Sequence, residues 1–600
     1  MGMVSPFLDS QKNSNIAMPQ MYTESTISML VTDEDMFFNC MEIIEAADTL
    51  AVDTETFGLR IDQQVQIGTV IAVKRDGLIL PFYFPWRHKT RNLDFSLWKF
   101  LQGQISAPDK TIVFHNAKFD MRVLERDGCI FYDNWYDILV IAHLLDENRF
   151  NYGLKEMARD ILGADTREDK PLHKAASLLG GYEIIPPEAM VYYAAKDGTF
   201  TFRLWEILYP RLVKETELLV LWSELRAFSK AIQEIETQGL RVDTFGLSEA
   251  AKVARAEQRE IRDRLGYDPL KRTALKKRLV DELGLKPPRT AAGNYTFDES
   301  WLLSQINSSS EVAEIIRYRK LDKAASVWYE GWIEKADNNG RIHPSFKLHG
   351  TKTGRLSCEE PNLQQVPREE HEFPVKIYML ASEGYELWEA DYSQMEFRLA
   401  AAYGNEVELI SGFSEGLDAH SITANRMRIN RQAGKTLNFS ILYGGGIPTI
   451  VRQLGLPYTI NSRGFIDSPA ASELLDEYRN LYPGIFRVSS EAASLGRQQG
   501  FVKLWSGRQR HFQWPKESRL AWNSLIQGGC AEILRVSLVN LFNDPDFSGR
   551  VISIIHDSAL IELPVGDVDR NKEIVRHHFC DWSTEGFGVP FVIDWKLYDN

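Results

Sequence analysis

Apolar residues run through this chain with two periods: consecutive or alternating over short stretches, as in strands, and every three to four residues over longer ones, as on one helix face. The run Thr49-Leu-Ala-Val-Asp-Thr-Glu-Thr56 predicts a short strand, and Val65 to Val73, after a turn near Gly58, predicts a second strand antiparallel to it. Thr111-Ile-Val-Phe-His-Asn-Ala-Lys-Phe-Asp120 reads as a strand passing into a helix, with Asp120 in the first helical turn. Met190 to Asp197 has helical character, and Leu212 to Gly239 is strongly helical up to its glycine terminator. Further helices are predicted over Ala250–Leu265 and Ile315–Trp332, the second continuing to the turn Asn338-Asn-Gly340. Trp388-Glu-Ala-Asp391 is extended up to its last acid, and a helical period follows, with Met395, Leu399, Ala402 and Tyr403 on related faces. Arg431 to Tyr443 reads as another helix, and two apolar runs around a polar break in Val551–Leu563 predict a hairpin with Asp557 at its tip.

A length of 600 residues accommodates three or four domain-sized units. With 44 % apolar and 25 % charged residues the composition is that of a globular protein with sizeable cores. The formal charge of -14 excludes whole-surface attraction to nucleic acid but leaves room for a basic cleft in an acidic body. Cys40, Cys129, Cys358, Cys530 and Cys580 are scattered without a C-x-x-C pair, as expected of reduced, buried thiols in a cytosolic protein. No apolar run is long enough to span a bilayer and no signal pattern opens the chain, so a soluble, cytoplasmic protein without a membrane partner is expected. Residues 1 to about 26 are polar and read as a loosely ordered lead-in.

The acids within these elements suggest chemistry. Side chains at i and i+2 of a strand share a face, so Asp53 and Glu55 can point at one site. Tyr193 and Asp197, four apart, share a helical face. Singly, an Asp-x-Glu in a strand is more often a solvated edge than a site, and Tyr-x-x-x-Asp is a common surface pair. In this order and context, residues of about 48 to 205 resemble the 3′-to-5′ proofreading exonuclease domain of the ribonuclease-H-like class, whose motifs are matched by Asp53-Thr-Glu55, Asn116-Ala-Lys-Phe-Asp120 and Tyr193-Ala-Ala-Lys-Asp197. Phosphodiester hydrolysis needs an activated water and a stabilised leaving oxygen, which two metals about 4 Å apart supply together. Several carboxylates are needed to hold two dications while leaving positions open. The resemblance implies that Asp53, Glu55, Asp120 and Asp197 are the ligands and that Tyr193 positions the water. Asp165 to Gly181 is a variable connection with no assigned role.

In the middle of the chain, Lys271-Arg-Thr-Ala-Leu-Lys-Lys-Arg278 concentrates positive charge. It either contacts a phosphate backbone or forms a solvated face paired with Asp281 and Glu282. Glu236 to Val366 resembles the thumb of a family A DNA polymerase and its return to the palm, without the long insertion by which some phage relatives bind a processivity partner.

Further on, His349-Gly-Thr-Lys-Thr-Gly-Arg-Leu-Ser357 and Pro361-Asn-Leu-Gln-Gln-Val-Pro367 suit a loop along a nucleic-acid strand. They match the family's Thr-Gly-Arg-Leu-Ser and Pro-Asn-Leu-Gln motifs, which implies that Arg355 contacts the primer end. By itself Asp391 is a helix cap or a metal ligand. Its surroundings match the first palm motif, Asp-Tyr-Ser-Gln-x-Glu, implying that Asp391 holds both metals and the Tyr392 carbonyl one. The same motif implies that Gln394 and Glu396 line the nucleotide pocket, with Glu396 excluding a ribose 2′-hydroxyl. Arg431, Lys435, Phe439 and Tyr443 stand at four-residue steps, so two cations and two aromatics form one stripe that can meet a triphosphate at one end and a sugar and base at the other. This is similar to the family's fingers helix, with His420 as another triphosphate contact. Ser440 stands where the family has Gly and is expected to alter packing on the incoming sugar. Arg519, Asn523 and Gln527 form a further helical stripe and match residues that touch template and primer in the minor groove. His556-Asp557-Ser558 resembles the third palm motif, normally His-Asp-Glu, which gives His556 to DNA and Asp557 to metal while Ser558 removes a carboxylate. Activity is expected to survive, with altered rate or metal preference.

The expected fold is an α/β multidomain chain: a ribonuclease-H-like exonuclease domain at 27–210, thumb and connecting helices at 211–345, and palm and fingers of a right-hand polymerase at 346–600, with fingers at about 405–500. The resemblance implies DNA synthesis from deoxynucleoside triphosphates with proofreading, catalysed by Asp391, Asp557 and Lys435 in one site and Tyr193 with its carboxylates in the other. Two magnesium ions per site are implied, with manganese as a substitute. The implied partners are primer-template DNA, nucleotides and a single-stranded 3′ end, bound by a monomer. With no module for a 5′ nuclease ahead of residue 27, a phage replicase is the favoured source. The alternative, motivated by Ser558, is an exonuclease whose polymerase half only holds DNA.

Overall fold

The computed structural model describes residues 29–598 apart from 59, 167–169, 291 and 368–371. The lead-in expected at 1–26 lies outside the described residues, as do three positions of the connection at 165–181.

The first module is built on six strands: β1 (Met29–Leu30), β2 (Thr49–Phe57), β3 (Val65–Arg75), β4 (Leu78–Pro85), β5 (Thr111–Phe114) and β6 (Trp135–Asp137), in spatial order β1-β4-β3-β2-β5-β6. β2, β3 and β4 are antiparallel, as expected for the first pair, whereas β5 and β6 add parallel on the β2 side. Parallel addition demands crossover helices. One is α1 (Ala117–Arg126), with Asp120 in its first turn. A longer helix, α2 (Pro187–Lys214), lies across the sheet and carries Tyr193 and Asp197. Its contact is close because residue 198 is glycine: a Cβ there would stand 2.6 Å from Val70 Cγ1 on β3.

The helix expected over 212–239 is two helices. α2 ends at Lys214, Glu215 leaves helical geometry, and α3 (Thr216–Gln238) continues to Gly239, which takes a positive φ of 63°. Helices Thr244–Leu265 and Ser310–Lys323 follow, the second running through a wide-turn segment into Glu330–Lys335. Leu275, Leu279, Trp301, Leu302, Val312 and Ile315 form a small core of their own here.

The catalytic half is centred on four antiparallel strands: β7 (Tyr385–Tyr392), β8 (Arg550–Ile555), β9 (Ser558–Pro564) and β10 (Ile593–Tyr598), in order β8-β9-β7-β10. β8 and β9 are the expected hairpin. Three further helices carry candidate residues of this half: α4 (Met395–Gly404), which leaves the end of β7, α5 (Arg431–Leu442), and α6 (Ala521–Phe542). The stretch Pro515–Phe542 is long and apolar enough to cross a membrane, with a mean hydropathy of 1.3 in its richest window, yet 61 % of that window is buried inside the protein. Cys530, Ile533, Leu538 and Leu541 are fully buried along it, which makes it the core helix of this half. All five cysteines are buried and unpaired, as expected.

Buried ion pairs join the two halves. Glu236 of α3 accepts from Lys118 Nζ and Arg122 Nη2 of α1, each at 2.5 Å, and from Phe346 N at 2.7 Å. Glu147 accepts from Arg510 Nη1 at 2.9 Å and His511 N at 2.6 Å.

Candidate functional site

The first acidic centre forms where β2, α1 and α2 meet. Asp53 and Glu55 leave one face of β2, and a bulge between Glu55 and Thr56 interrupts the pairing with β3 just beyond them. Asp120, 2 % exposed, points in from α1, where its Oδ1 accepts from Thr54 N at 2.9 Å and Thr54 Oγ1 at 2.7 Å. Asp197 comes from α2. The four carboxylates assembled from distant sequence thus share one buried space, and their titration reflects it. Burial first, and then Asp120, Asp197 and Glu55, raise the Asp53 carboxyl well above the usual range. Burial, followed by Asp197, pushes Glu55 up to about 8, and burial pushes Asp120 up to about 7 against the Thr54 hydrogen bonds. Burial and Asp197 likewise raise the Tyr193 phenol.

Two further residues belong to this centre. Lys155, on the short helix Leu154–Met157, is ion-paired with Asp197, stands 4.5 Å over the Tyr193 ring, and opposes the upward shifts of Asp53 and Glu55. Asp137, at the end of β6, accepts from the backbone N-H groups of Asn116, Ala117 and Leu139 at 2.9–3.0 Å and so anchors the start of α1. Asn116 itself is in the left-handed region at φ 69°. An Asp at a strand-to-helix junction is a capping signal visible in sequence. Lys155 has no such signal, since only the tertiary fold brings it to the acids.

Among the described residues no three acidic, histidine or cysteine side chains are already closed around a metal position. Asp120 is engaged by Thr54, and Asp197 by Lys155. The donor set nonetheless fits a hard divalent cation. It is all oxygen, its members repel one another, and Glu55 Oε1 is a buried acceptor with no hydrogen-bond donor.

The second acidic centre lies at the end of the palm sheet. Asp391 pairs with Ser558 in the register of β7 and β9, and Tyr392 N donates to the Asp557 carbonyl at 3.4 Å, so the two expected metal aspartates come from adjoining backbones. The Asp391 carboxyl is pushed up to about 6 by loss of solvation first and then by Glu389, Asp557 and Asp594. Tyr392 offers this site only its backbone, because its hydroxyl is buried against Ser537 Oγ and the Phe579 carbonyl. Glu396, buried in α4, bonds Arg355 Nη2 through Oε1 and Tyr443 OH through Oε2, each at 2.7 Å, and Arg355 also reaches Asp557 at 3.4 Å. Arg355, His556 and Asp557 line one cleft together with Gly354, Glu532 and Arg535. His556 stands at the hairpin turn with φ 57°.

On α5 the expected stripe is present. Arg431 is held by Asp418 at 3.1 Å, and among the described residues no carboxylate is paired with Lys435. The Phe439 ring centroid lies 5.3 Å from that of His420 and 5.9 Å from that of Tyr443. Gly434 lets α5 approach the helix Ala419–Met427: a Cβ there would stand 2.8 Å from the His420 carbonyl oxygen. Asn438 Nδ2 lies 3.0 Å from His420 Nδ1, and Gln394 Oε1 accepts from Ala419 N at 2.7 Å. The Ser440 hydroxyl turns to the Thr436 carbonyl and to Gln453 on the next helix.

Asn523 and Gln527 are half-buried on α6, one turn apart, and Asn523 Oδ1 lacks a hydrogen-bond partner. Arg519 is exposed but precedes α6, on a 3-10 segment Pro515–Leu520, so the expected single stripe changes helix type between its first two members. In the basic cluster, Arg278 is bonded to both Glu282 and Glu311, whereas Lys271, Arg272, Lys276 and Lys277 are exposed.

Known proteins are similar over most of this chain. Residues 29–213 match the model of the 3′-5′ exonuclease family, and residues 248–600 match that of DNA polymerase family A. Both kinds of domain work with divalent metal ions. DNA polymerase I of Chloroflexus aurantiacus is 27 % identical over 91 % of this chain and 60 % of its own length. That of Treponema pallidum is 27 % identical over 78 % of this chain and 48 % of its own length, and that of Pseudomonas aeruginosa 26 % over 95 % and 65 %. The chain therefore spans about half to two thirds of these bacterial relatives. The polymerase domain of Pol1 from M. smegmatis, solved in complex with DNA primer-template and dNTP, superposes with a TM-score of 0.76 at 21 % identity, covering 95 % of this chain and 98 % of that one, and shares the fold. With more than half its length matching the polymerase model and an exonuclease-family module ahead of it, the chain belongs to DNA polymerase family A.

Proposed function

We propose that this chain extends a DNA primer along a template from deoxynucleoside triphosphates and removes mismatched 3′ ends at its first acidic centre. The observation that carries the proposal is the pairing of Asp391 and Asp557 on adjoining backbones, tied through Arg355, Glu396 and Tyr443 to the cationic and aromatic face of α5. Magnesium is the ion we assign to both centres, since it favours carboxylate and phosphate oxygens, and it supplies Lewis acidity and charge neutralisation at the reacting phosphate.

The residues of the chain do the rest. Lys435 and Arg431 neutralise the triphosphate, the exposed Arg431 exchanging its half-buried partner Asp418 for phosphate. Phe439 and Tyr443 offer ring faces to sugar and base. Glu396, fixed between Arg355 and Tyr443, fills the space beside the sugar and so disfavours ribonucleotides. Arg355 and His556 flank the primer end, while Asn523 and Gln527 read minor-groove acceptors common to correct pairs. In the first centre Tyr193 orients the attacking water, and the four carboxylates would hold the cations that supply charge neutralisation at the terminal phosphodiester.

A labelled primer-template with four deoxynucleotides and magnesium tests this. Asp391→Ala should abolish lengthening and leave single-strand degradation, and Asp53→Ala should do the reverse. Extension by Asp391→Ala at the parent rate would remove the palm assignment. A parent enzyme that only shortens its primer would favour the second reading, in which Ser558 marks a polymerase half that merely holds DNA.

A further inference from the structure

The palm carries a third carboxylate that no motif assigns. Glu389 lies on β7 two residues before Asp391, so both side chains leave the same face of the strand. Across the sheet, the Ser558 hydroxyl is 2.9 Å from Glu389 Oε1 and 2.9 Å from the Ile555 carbonyl, so its one proton is shared between them. The other oxygen, Oε2, accepts from Tyr598 OH at 2.6 Å and Lys376 Nζ at 3.2 Å. Three donors converging on two oxygens make the surroundings of a fixed anion.

The placement of this anion matters. Ser558 is the residue after Asp557 and the register partner of Asp391. One hydrogen bond therefore joins the strand that bears one aspartate to the turn that bears the other. A side chain that served packing alone would not need a charge here, between two more acids on the same sheet end.

We infer that Glu389 is the third acidic group of the polymerase centre, a positioning residue that locks the Asp557 turn to the Asp391 strand through Ser558 and lends its charge to cation binding between them. The residue after Asp557 can then be neutral, because its acidic function sits on the neighbouring strand. This inference rests on the polymerase reading above. Supporting groups of this kind change cation affinity by roughly 10- to 100-fold when removed.

The test uses the full chain with the first centre silenced by Asp53→Ala and Glu55→Ala, and reads Mn²⁺ binding by electron paramagnetic resonance, with Mg²⁺ dependence of primer extension in parallel. Glu389→Gln should weaken Mn²⁺ binding about tenfold and raise the Mg²⁺ needed for half-maximal extension similarly, with nucleotide KM at saturating Mg²⁺ unchanged. Adding Ser558→Glu to Glu389→Gln should restore most of the affinity by returning the charge from the other strand. Melting temperature shows that each variant is folded, and Ser558→Ala, which loses only the link, should weaken binding less than Glu389→Gln. Unchanged Mn²⁺ affinity in folded Glu389→Gln overturns the inference, and so does failure of Ser558→Glu to recover it. Because Mn²⁺ binding is read without turnover, a parent that binds Mn²⁺ but does not extend a primer would sink the polymerase reading and leave the cation role of Glu389 measurable.

Discussion

Removing Glu236 should weaken the first module from a distance. Its carboxylate is 3 % exposed and faces Lys118 and Arg122, whose side chains are 11 % and 8 % exposed. Glu236→Ala would leave two buried cations without their anion. Breaking a buried pair in this way costs about 3–5 kcal/mol. For a module of 150–250 residues that is a fall in Tm of roughly 10 °C. The two cations would not suffer equally. Burial already lowers the Lys118 pKa and Glu236 is its largest opponent, so without Glu236 Lys118 can shed its proton. An arginine stays charged. Arg122→Met should therefore rescue Glu236→Ala more fully than Lys118→Met does. Asp120 lies between these cations on α1, so degradation of single-stranded DNA should fall with the melting temperature while primer extension falls less. Calorimetry of the parent and the three variants at about pH 8, with both activities measured at about 25 °C, checks the scheme. Glu236→Ala melting within 2 °C of the parent would refute it, and so would equal rescue by either methionine.

Further outcomes follow from the two centres. Glu55 and Asp120 have carboxyls raised to about 8 and about 7, so without metal the stability they contribute is complete below their ordinary range, near pH 4, and is lost as pH rises through those values. Chelator-treated protein should thus melt at falling temperature between about pH 5 and pH 8, Glu55→Gln should flatten the decline, and magnesium should reverse it; a flat profile in the chelated parent would contradict the cluster. Phe439→Tyr should raise the ratio of dideoxy- to deoxynucleotide incorporation by placing a hydroxyl near the missing 3′-hydroxyl of the sugar, and an unchanged ratio would count against the orientation of α5.

Where a local rule governs side-chain direction, the sequence was legible. The i,i+2 rule found Asp53 and Glu55, and the four-residue step found Tyr193 with Asp197 and the stripe on α5. Glu389 and Asp391 obey the same i,i+2 rule, but Glu389 lies between Trp388 and Ala390 in the strand and matches no residue of the palm motif. Lys155 and Glu236 act only across tertiary distance, which no local period encodes. The break between α2 and α3 was misplaced for a related reason: Pro210 lies inside α2, and the chain turns at Glu215, where neither glycine nor proline signals it. Arg519 fell outside the α6 stripe because a tighter helical turn with Pro515 at its start feeds α6, and spacing alone does not distinguish the two helix types.

The pairing of β7 with β9 also divides labour in time. Its ladder runs unbroken from Tyr385 opposite Pro564 to Asp391 opposite Ser558, so the end of one strand and the turn before the other form a stiff frame. Helix α5 belongs to a different layer, and the residue that ends it, Tyr443, is tied near the pocket to Glu396 of α4 by a single side-chain bond. Such bonds break and reform far faster than a strand ladder opens. On the proposed function, the helix would be free to move on a fast clock as nucleotides are sampled, while the spacing of the two aspartates would persist on a slow one.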